Sequence, residues 1–386
     1  MSAFTRTFRR ELSRLSSRRI YFFMMIVVPL GCAFFFLDLM HEGLPIKVPV
    51  AMVDADHSTL SRKVGRELNA GELVDITAEV ESFHEAIARV RAGEIFGFFH
   101  IPADFQRKAL NGETPTLSFY SNMSIFVPGT FTYKGFKTTA VTTSGGLVKT
   151  TLTSAGINET VAGSLVMPFT TDIHPIGNPC TNYSIYLSQS FLAAVMGLLV
   201  MLMTVFTICT EIKDGSSPQW LAAAHGNMGI ALAGKLLPQT IVFCAVGVAI
   251  QTVMFVFLDF PLHSNPWHMI TAMILLVMSS QAFAVVVTEI LPNLRFALSI
   301  ASLVGILTFS VAGFSFPVDK MYGGVAIFAY ILPVRYYFLI YIDQALNGLP
   351  LYFSRFYYAA MLLMLLVPVL GLRRLRGRLE RPVYVP

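Results

Sequence analysis

Long apolar runs alternate with polar stretches along this chain, and several of these runs are long enough to cross a membrane. A helix of about 20 apolar residues spans the roughly 30 Å of hydrocarbon in a bilayer. The pattern therefore predicts an α-helical membrane protein. Its six predicted spans are 20–40, 183–209, 236–258, 267–290, 294–314 and 356–373.

The first 19 residues show helical periodicity in a basic segment. Phe4, Phe8, Leu12 and Leu15 recur at helical spacing, and arginines occupy the other faces. This pattern predicts an amphipathic helix over 1–19 that lies in the membrane surface. A signal peptide is the alternative, but the apolar run that follows is too long and no small-residue cleavage pattern comes after it.

Residues 41–182 are polar and mixed in charge, with short β-rich runs alternating with helical patterns. This alternation predicts a compact α/β domain inserted between the first two spans. The predicted strands are 48–53, 73–77, 95–101 and 116–120. The predicted helices are 58–68, 82–91 and 102–110, the last begun by Pro102. One or two helices are expected in 125–166, and 173–179 is expected to lead back to the membrane.

The segment 315–355 is apolar but is broken by proline and glycine. It predicts short helices that dip partly into the membrane, which is tolerated where protein buries the backbone. An extra complete span, or a pair of spans, is the alternative for this segment. Residues 374–386 are expected to form a basic tail.

The positions of Lys and Arg predict the orientation of the chain. With six spans, the N-terminal segment, the loop 210–235, Arg295 and the tail lie on one side, while the loop 259–267 carries no Lys or Arg. Both termini are therefore expected in the cytoplasm and the α/β domain outside it. The net charge of +5 follows this distribution, so it indicates membrane orientation and not nucleic-acid binding.

The composition excludes several classes of protein. The chain is 54% hydrophobic and 13% charged, which excludes a soluble globular or a disordered protein. Its four cysteines, Cys32, Cys180, Cys209 and Cys244, show neither a disulfide framework nor metal-ligand spacing. They are expected to act as small apolar fillers.

We find no sequence pattern for catalysis in this chain. It lacks a Walker-type phosphate loop, a dinucleotide fingerprint, a Gly-x-Ser-x-Gly elbow and histidines at metal-ligand spacing. No catalytic residue, cofactor or metal is therefore expected in it. Asp54 and Asp56 suit a turn and a helix cap better than a metal site.

The spans carry few ionisable residues, and these are expected to be structural. Glu289 is expected to pair with Arg295 or to lie at the interface, at the end of the fourth span. Ser279, Ser280 and Gln281 are expected to bond between helices. An ion-driven carrier usually needs buried acids near the middle of the membrane, which makes self-powered transport an unfavoured hypothesis.

The polar loop 210–235 is the candidate functional segment. Ser216 or Ser217 can cap a helix whose first turn holds Pro218 and whose end carries Trp220 and Leu221. Such a helix is either a contact surface for a cytoplasmic partner or an interfacial loop with its Trp at headgroup depth. Residue chemistry alone leaves both interpretations open.

The order and spacing of several segments resemble the membrane subunits of ABC-2 type exporters, in the branch with a large extracytoplasmic domain after the first span. The likeness covers nearly the whole length. It rests on 49–56 with Ser58, 93–102 with Phe105 and Gly112, Glu211, Gly215, Ser216, Trp220, Leu221, 234–238, 313–317, Met321, Pro333, Arg335, Tyr336 and Gly348. His225 and Asp343 depart from the family pattern, at the end of the coupling segment and near the outer gate.

This resemblance implies a permease that works as a homodimer or heterodimer in the bacterial inner membrane. ATP and Mg²⁺ would bind to separate cytoplasmic ATP-binding subunits, and the cargo would be hydrophobic or amphipathic, such as a lipid, drug or glycan-like molecule. The implied contacts with the ATPase are the N-terminal helix and the loop 210–226, where they include Glu211, Lys213, Gly215, Ser216, Trp220 and Leu221. The implied outer gate region contains Phe314, Phe316, Pro317 and Pro333.

Other partners and functions remain open alternatives. Membrane lipid is an expected partner, and a periplasmic adaptor is one further alternative. The alternative function is a membrane-anchored sensor or scaffold whose outer domain binds an envelope partner without transport. A membrane enzyme lacks a recognisable catalytic constellation.

Overall fold

The computed structural model describes residues 2–41, 43, 47–111, 113–167, 177–179 and 182–382, with the backbone alone at 126 and 147. It separates into a membrane unit, Met1–Gly43 with Pro175–Pro386, and an α/β unit, Leu44–His174. Gly112, Cys180 and most of the expected return segment 173–179 lie outside the described residues.

The membrane unit begins with a separate amphipathic helix, α1, which spans Ala3–Ser17 and is capped by Ser2. The extended backbone of Arg18 ends α1. The first membrane-length helix, Arg19–Leu39, follows at once. It consists of α2 (Arg19–Phe22), a π-helical turn (Phe23–Val27) and α3 (Val28–Leu39).

The α/β unit is a four-stranded mixed sheet with helices. Its elements are β1 (Val48–Asp54), α4 (Thr59–Asn69), β2 (Val74–Glu79), α5 (Phe83–Ala92), β3 (Gly97–Ile101), α6 (Phe105–Leu110), β4 (Ser118–Ser121), α7 (Phe126–Ser154) and α8 (Glu159–Val166). The strand order is β2-β1-β3-β4. β1 runs parallel to β2 and β3, whereas β4 is antiparallel to β3. The expected α/β region between the first two spans is confirmed.

The turn after β1 is built by the two aspartates that the sequence places there. Ser58 and Ser61 form a reciprocal capping box at the start of α4, and Ser61 donates a hydrogen bond of 2.6 Å to Asp54. Asp56 accepts a 3.0 Å hydrogen bond from the backbone N–H of Gln106. The carboxylate of Asp56 thus caps α6, so this helix begins at Phe105 and the expected start at Pro102 is wrong.

Long helices, with one short helix between them, form the middle part of the membrane unit. They include α9 (Tyr183–Lys213), α10 (Ser217–Ala223), α11 (Met228–Thr252) with a π-helical turn (Val253–Phe257), α12 (Pro266–Ile290) and α13 (Leu294–Val311). α9 packs against α3, α12 and α13 and is the most buried of the spans. The segment 210–235, expected as a coupling loop with a short helix, contains the short helix α10, while α9 continues to Lys213 and α11 begins at Met228.

The final part of the chain contains short helices and the last span. Its elements are a 3₁₀ turn (Val318–Lys320), α14 (Gly323–Tyr330), α15 (Pro333–Ile340) with a π-helical turn (Tyr341–Leu346), α16 (Leu351–Met364), a 3₁₀ turn (Val367–Leu370) and α17 (Leu372–Glu380). Within the described residues, six helices have the length and composition of membrane spans, as predicted. A pair bent by 78°, formed by α14 and the helix that begins at Pro333, adds a seventh if it counts as one span.

Gly234 sets how closely α1 can approach α11. A Cβ atom at Gly234 would lie only 2.8 Å from Thr7 Cβ. We expect Gly234→Ala to weaken the packing of α1 by about 1–3 kcal/mol, the usual cost of overpacking. The measurement is the rate of tryptic cleavage within α1, which carries several arginines, in membranes. Gly229→Ala is the control in the same helix, where the nearest atom lies at 3.4 Å. Equal cleavage rates in the two variants would contradict the prediction.

Candidate functional site: a buried ionic cluster

The side chain of Glu211, near the end of α9, is fully buried and fully paired. Arg10 of α1 binds it through two parallel hydrogen bonds, Nη1 to Oε1 at 2.7 Å and Nη2 to Oε2 at 2.9 Å. Arg14 also pairs with Oε1, and the hydroxyl of Ser216 donates to Oε2. This geometry joins α1 to the end of α9, because a planar guanidinium matches both carboxylate oxygens.

Lys235 of α11 completes the arrangement from the other side. Its ammonium donates to Glu211 Oε1 at 2.9 Å and to Glu11 Oε2 at 2.7 Å. The same ammonium lies 4.8 Å from the ring centroid of Trp220, within the range of a cation–π interaction. We call Arg10, Glu11, Arg14, Glu211, Ser216 and Lys235 the Glu211 cluster. The cluster joins three parts of the chain: α1, the end of α9 with the turn that follows it, and α11.

The Glu211 cluster brings three cations and two carboxylates together, and it buries both carboxylates and Lys235 almost completely. Isolated buried charges are very costly, so the pairing explains how these groups can be inside. Burial by itself lowers the pKa of the Arg10 guanidinium. The hydrogen bonds and negative charge of Glu211, together with the charge of Glu11, outweigh this effect, so the pKa of Arg10 is raised overall. Arg10 therefore stays charged.

A compact apolar layer lies beside the Glu211 cluster. Trp220 and Leu221 of α10 are buried there, and Trp220 Nε1 donates to the carbonyl of Ala231 at 3.1 Å. Ser217 Oγ donates to the carbonyl of Leu379 in α17 at 2.8 Å. The other buried members of this layer are Ile208, Ile212, Ala224, Met228, Ala231, Leu232, Val285, Leu375 and Leu379. α10 is thus held between α11 and α17.

The six predicted contact residues therefore fall into different environments. The structure brings Glu211, Ser216 and Trp220 together around Lys235, and it buries Leu221 in the apolar layer. Lys213 and Gly215 are exposed. Gly215, with a φ of +68°, ends α9: the N–H of Ser216 bonds to the carbonyl of Glu211 across it.

The buried positions of Trp220 and Leu221 correct one detail of the sequence interpretation. Both were implied contacts with the ATPase, but their side chains are covered by residues of this chain. The surface of this segment is formed by other residues, namely Lys213, Asp214, Pro218, Gln219, Ala222 and His225. Whether this segment contacts a partner stays a prediction.

Sequence reasoning missed the partners of Glu211 in α1. The helix was expected to lie in the membrane surface with its arginines facing the headgroups, yet Arg10 and Arg14 bind Glu211. One sequence feature could have indicated this: Glu11 is the single acid in the first 19 residues. Thr7 and Glu11, spaced i and i+4, form one buried stripe of the helix.

The predicted gate residues lie at the opposite end of α9. Phe314 is buried and packs edge-on against Phe191 and Phe338, and its carbonyl accepts a hydrogen bond from Tyr186. Pro333 is buried at the start of α15, whereas Phe316 and Pro317 are exposed. Only Phe314 of the four belongs to this aromatic cluster. Tyr186 and Glu211 are 25 residues apart in one helix, which corresponds to roughly 37 Å.

Glu289 does not form the ion pair that its position suggested. Its carboxylate is buried at the end of α12, directly against Gly371, while Arg295 is exposed. Within the described part of the chain, Glu289 has no ion-pair partner and its Oε1 atom has no hydrogen-bond partner. In the same part of the chain, no group of three His, Cys, Asp or Glu side chains is placed to hold a metal ion.

Comparison with known proteins agrees with this architecture. The family model described as ABC-2 family transporter protein matches residues 19–372. A search of curated proteins found no match.

Proposed function

This chain belongs to the ABC-2 family of transporters and is a transmembrane transport subunit, and we propose that it works as a dimer with two separate ATP-binding subunits. ATP and Mg²⁺ would bind to those subunits, and this chain would convert their motion into export. The proposed location is a bacterial inner membrane, with both termini in the cytoplasm. The Lys and Arg distribution supports this orientation.

The Glu211 cluster is the observation that carries this proposal. A coupling element must move as one piece with the spans that it drives. Here α1, α9 and α11 are joined by buried charge pairs, and α10 is fixed beside them by Trp220 and by the Ser217–Leu379 hydrogen bond. A force on α10 would therefore be transmitted directly to α9 and α11, because these charge pairs and hydrogen bonds hold the helices together.

We place the contact with the ATP-binding subunit on the exposed face of α10. Pro218, Gln219 and Ala222 form this face, and the exposed Lys213 and Asp214 precede it. In this arrangement Trp220 and Leu221 fix the buried side of α10, and the residues of its exposed face contact the partner. Glu211 and Ser216 keep the position of α10 relative to α1.

The proposed substrate class is a hydrophobic or amphipathic molecule, such as a lipid, drug or glycan-like compound. Among the described residues of the spans, the buried charged side chains are Glu211, Lys235 and Glu289; Glu211 and Glu289 lie in the last turns of α9 and α12, and Lys235 lies two turns into α11. The deeper interior contains apolar side chains and neutral polar groups such as Gln189, Gln251 and Tyr337. Such an interior suits weakly charged cargo better than ions.

Affinity purification from native membranes tests the proposed partner. We expect a soluble subunit with a Walker motif to co-purify in stoichiometric amount and to show vanadate-sensitive ATP hydrolysis. We also expect Gln219→Trp, on the exposed face of α10, to reduce the recovered ATPase at least severalfold while the chain remains inserted. Lys63→Trp, an equal bulk on exposed α4 of the other unit, should leave recovery unchanged.

Two outcomes would contradict these expectations separately. A clean preparation without ATPase in several mild detergents would favour the sensor or scaffold over the transporter subunit. Normal ATPase recovery with Gln219→Trp would keep the transporter but remove the contact from this face of α10.

A further inference from the structure

An apolar groove of about 390 Å³ opens on the side of the membrane unit, beside the Glu211 end of the bundle. Phe4 of α1, Leu237 of α11, Gln281 of α12 and Leu372 of α17 mark its four walls. Its volume lies in the range of small-molecule sites. Because Phe4 and Leu237 are partly exposed, the groove faces the surroundings of the helices and not the bundle interior.

One polar group in this groove lacks a partner. Gln281 is only 4% exposed, and its Oε1 atom accepts a 2.7 Å hydrogen bond from Thr240. Its amide Nε2 finds no acceptor among the described residues. A buried donor without an acceptor is unfavourable, and few such groups occur in folded proteins. The groove therefore combines an apolar surface with one unused hydrogen-bond donor, which is buried in its wall.

Basic residues lie close in sequence to the residues that line two walls of the groove. Exposed Arg373 and Arg374 come directly after Leu372, whereas Arg6, two residues after Phe4, is hydrogen-bonded to His225. Clusters of arginine beside membrane helices attract anionic lipid headgroups. The nearby acid Glu289 is buried against Gly371, so its charge does not face outward.

We propose that this groove binds one anionic membrane phospholipid. An acyl chain lies along the apolar walls, an ester carbonyl accepts the hydrogen bond from Gln281 Nε2, and the phosphate contacts Arg373 and Arg374 of α17. This inference needs only the membrane location of the chain and does not depend on the proposed partner or cargo. The bound lipid would join α1 to α17 across the groove.

Native mass spectrometry of the complete detergent-solubilised protein tests this site. The probes are phosphatidylglycerol, phosphatidylcholine and inorganic phosphate, each titrated into delipidated protein. Ala233→Trp fills the groove from an exposed position of α11. Ala359→Trp places the same bulk on an exposed position of α16 outside the groove and is the matched control. Gln281→Leu removes the donor alone.

We expect one tightly held phosphatidylglycerol in the wild type and in Ala359→Trp, and its loss in Ala233→Trp. Gln281→Leu should weaken binding about fivefold, as expected for one hydrogen bond. Equal binding of phosphatidylglycerol by both tryptophan variants would overturn the site, and equal binding of phosphatidylcholine would overturn the anionic preference. A switch of Ala233→Trp from dimer to monomer, with unchanged lipid binding, would show that a second copy covers the groove instead.

Discussion

Replacing Glu211 by alanine is expected to release α1 from the membrane unit. The substitution removes the carboxylate that Arg10, Arg14 and Lys235 share, so the partly buried arginines lose this partner and Lys235 keeps only Glu11. Breaking a buried pair in this way typically costs about 3–5 kcal/mol. The measurements are the thermal midpoint of the purified protein and the rate of tryptic cleavage within α1 in membranes.

Asp214→Ala provides a matched control three residues away. Asp214 lies 3.6 Å from Arg18, and both side chains are well exposed. An exposed pair of this kind contributes about 0–1 kcal/mol, so this variant should behave like the wild type. If Glu211→Ala and Asp214→Ala are cleaved at the same rate, the Glu211 cluster does not hold α1.

The second large effect is expected from Trp220→Ala. The ring is completely buried, bonds to the carbonyl of Ala231 and lies beside the Lys235 ammonium. Truncating a buried aromatic side chain typically costs about 3–5 kcal/mol. We expect the protein to insert in the membrane but to lose its thermal stability and, with it, the fixed position of α10.

Trp267→Ala is the control for this prediction, since it makes the same substitution at a tryptophan that is 69% exposed at the start of α12. Both variants should be assayed for thermal unfolding and for coupling of ATP hydrolysis to transport. An unchanged thermal midpoint in Trp220→Ala combined with lost coupling would show that Trp220 contacts a partner directly. That result would contradict the internal role that the structure gives it.

The fold was largely predictable because its signals are local. Apolar runs of membrane length mark the six spans, and Ser58 marks the start of α4 by a capping pattern that needs only neighbouring residues. The start of α6 was misplaced because its cap comes from Asp56, some 50 residues earlier in the chain. A contact between residues so far apart in sequence produces no local spacing pattern from which the cap could be predicted.

The candidate site was predictable only in part, for the same physical reason. Glu211 stood out as an acid at the end of a span, but its partners Arg10 and Arg14 lie about 200 residues earlier. Arginines on an amphipathic helix usually meet lipid headgroups, so that interpretation prevailed. The stripe of Thr7 and Glu11 was the available indication that this helix has a buried polar face.

The burial of Trp220 was not predicted because part of its cover, α17, comes from the other end of the chain. An aromatic residue on a short helix between polar residues looks exposed when its neighbours alone are considered. The tail 374–386 was expected to be only basic, yet Leu375 and Leu379 of α17 are fully buried against this region. Their i and i+4 spacing is the pattern of a packed helix face.

The unbroken length of α9 has a mechanical consequence. A helix of 31 residues is about 46 Å long, well beyond the roughly 30 Å of hydrocarbon that it crosses. It must therefore tilt or project from the bilayer. Such a rod acts as a lever: a swing of about 5° about its Glu211 end would displace the Tyr186 end by roughly 3 Å. That shift is comparable to an atomic contact distance, enough to separate Tyr186 from the carbonyl of Phe314.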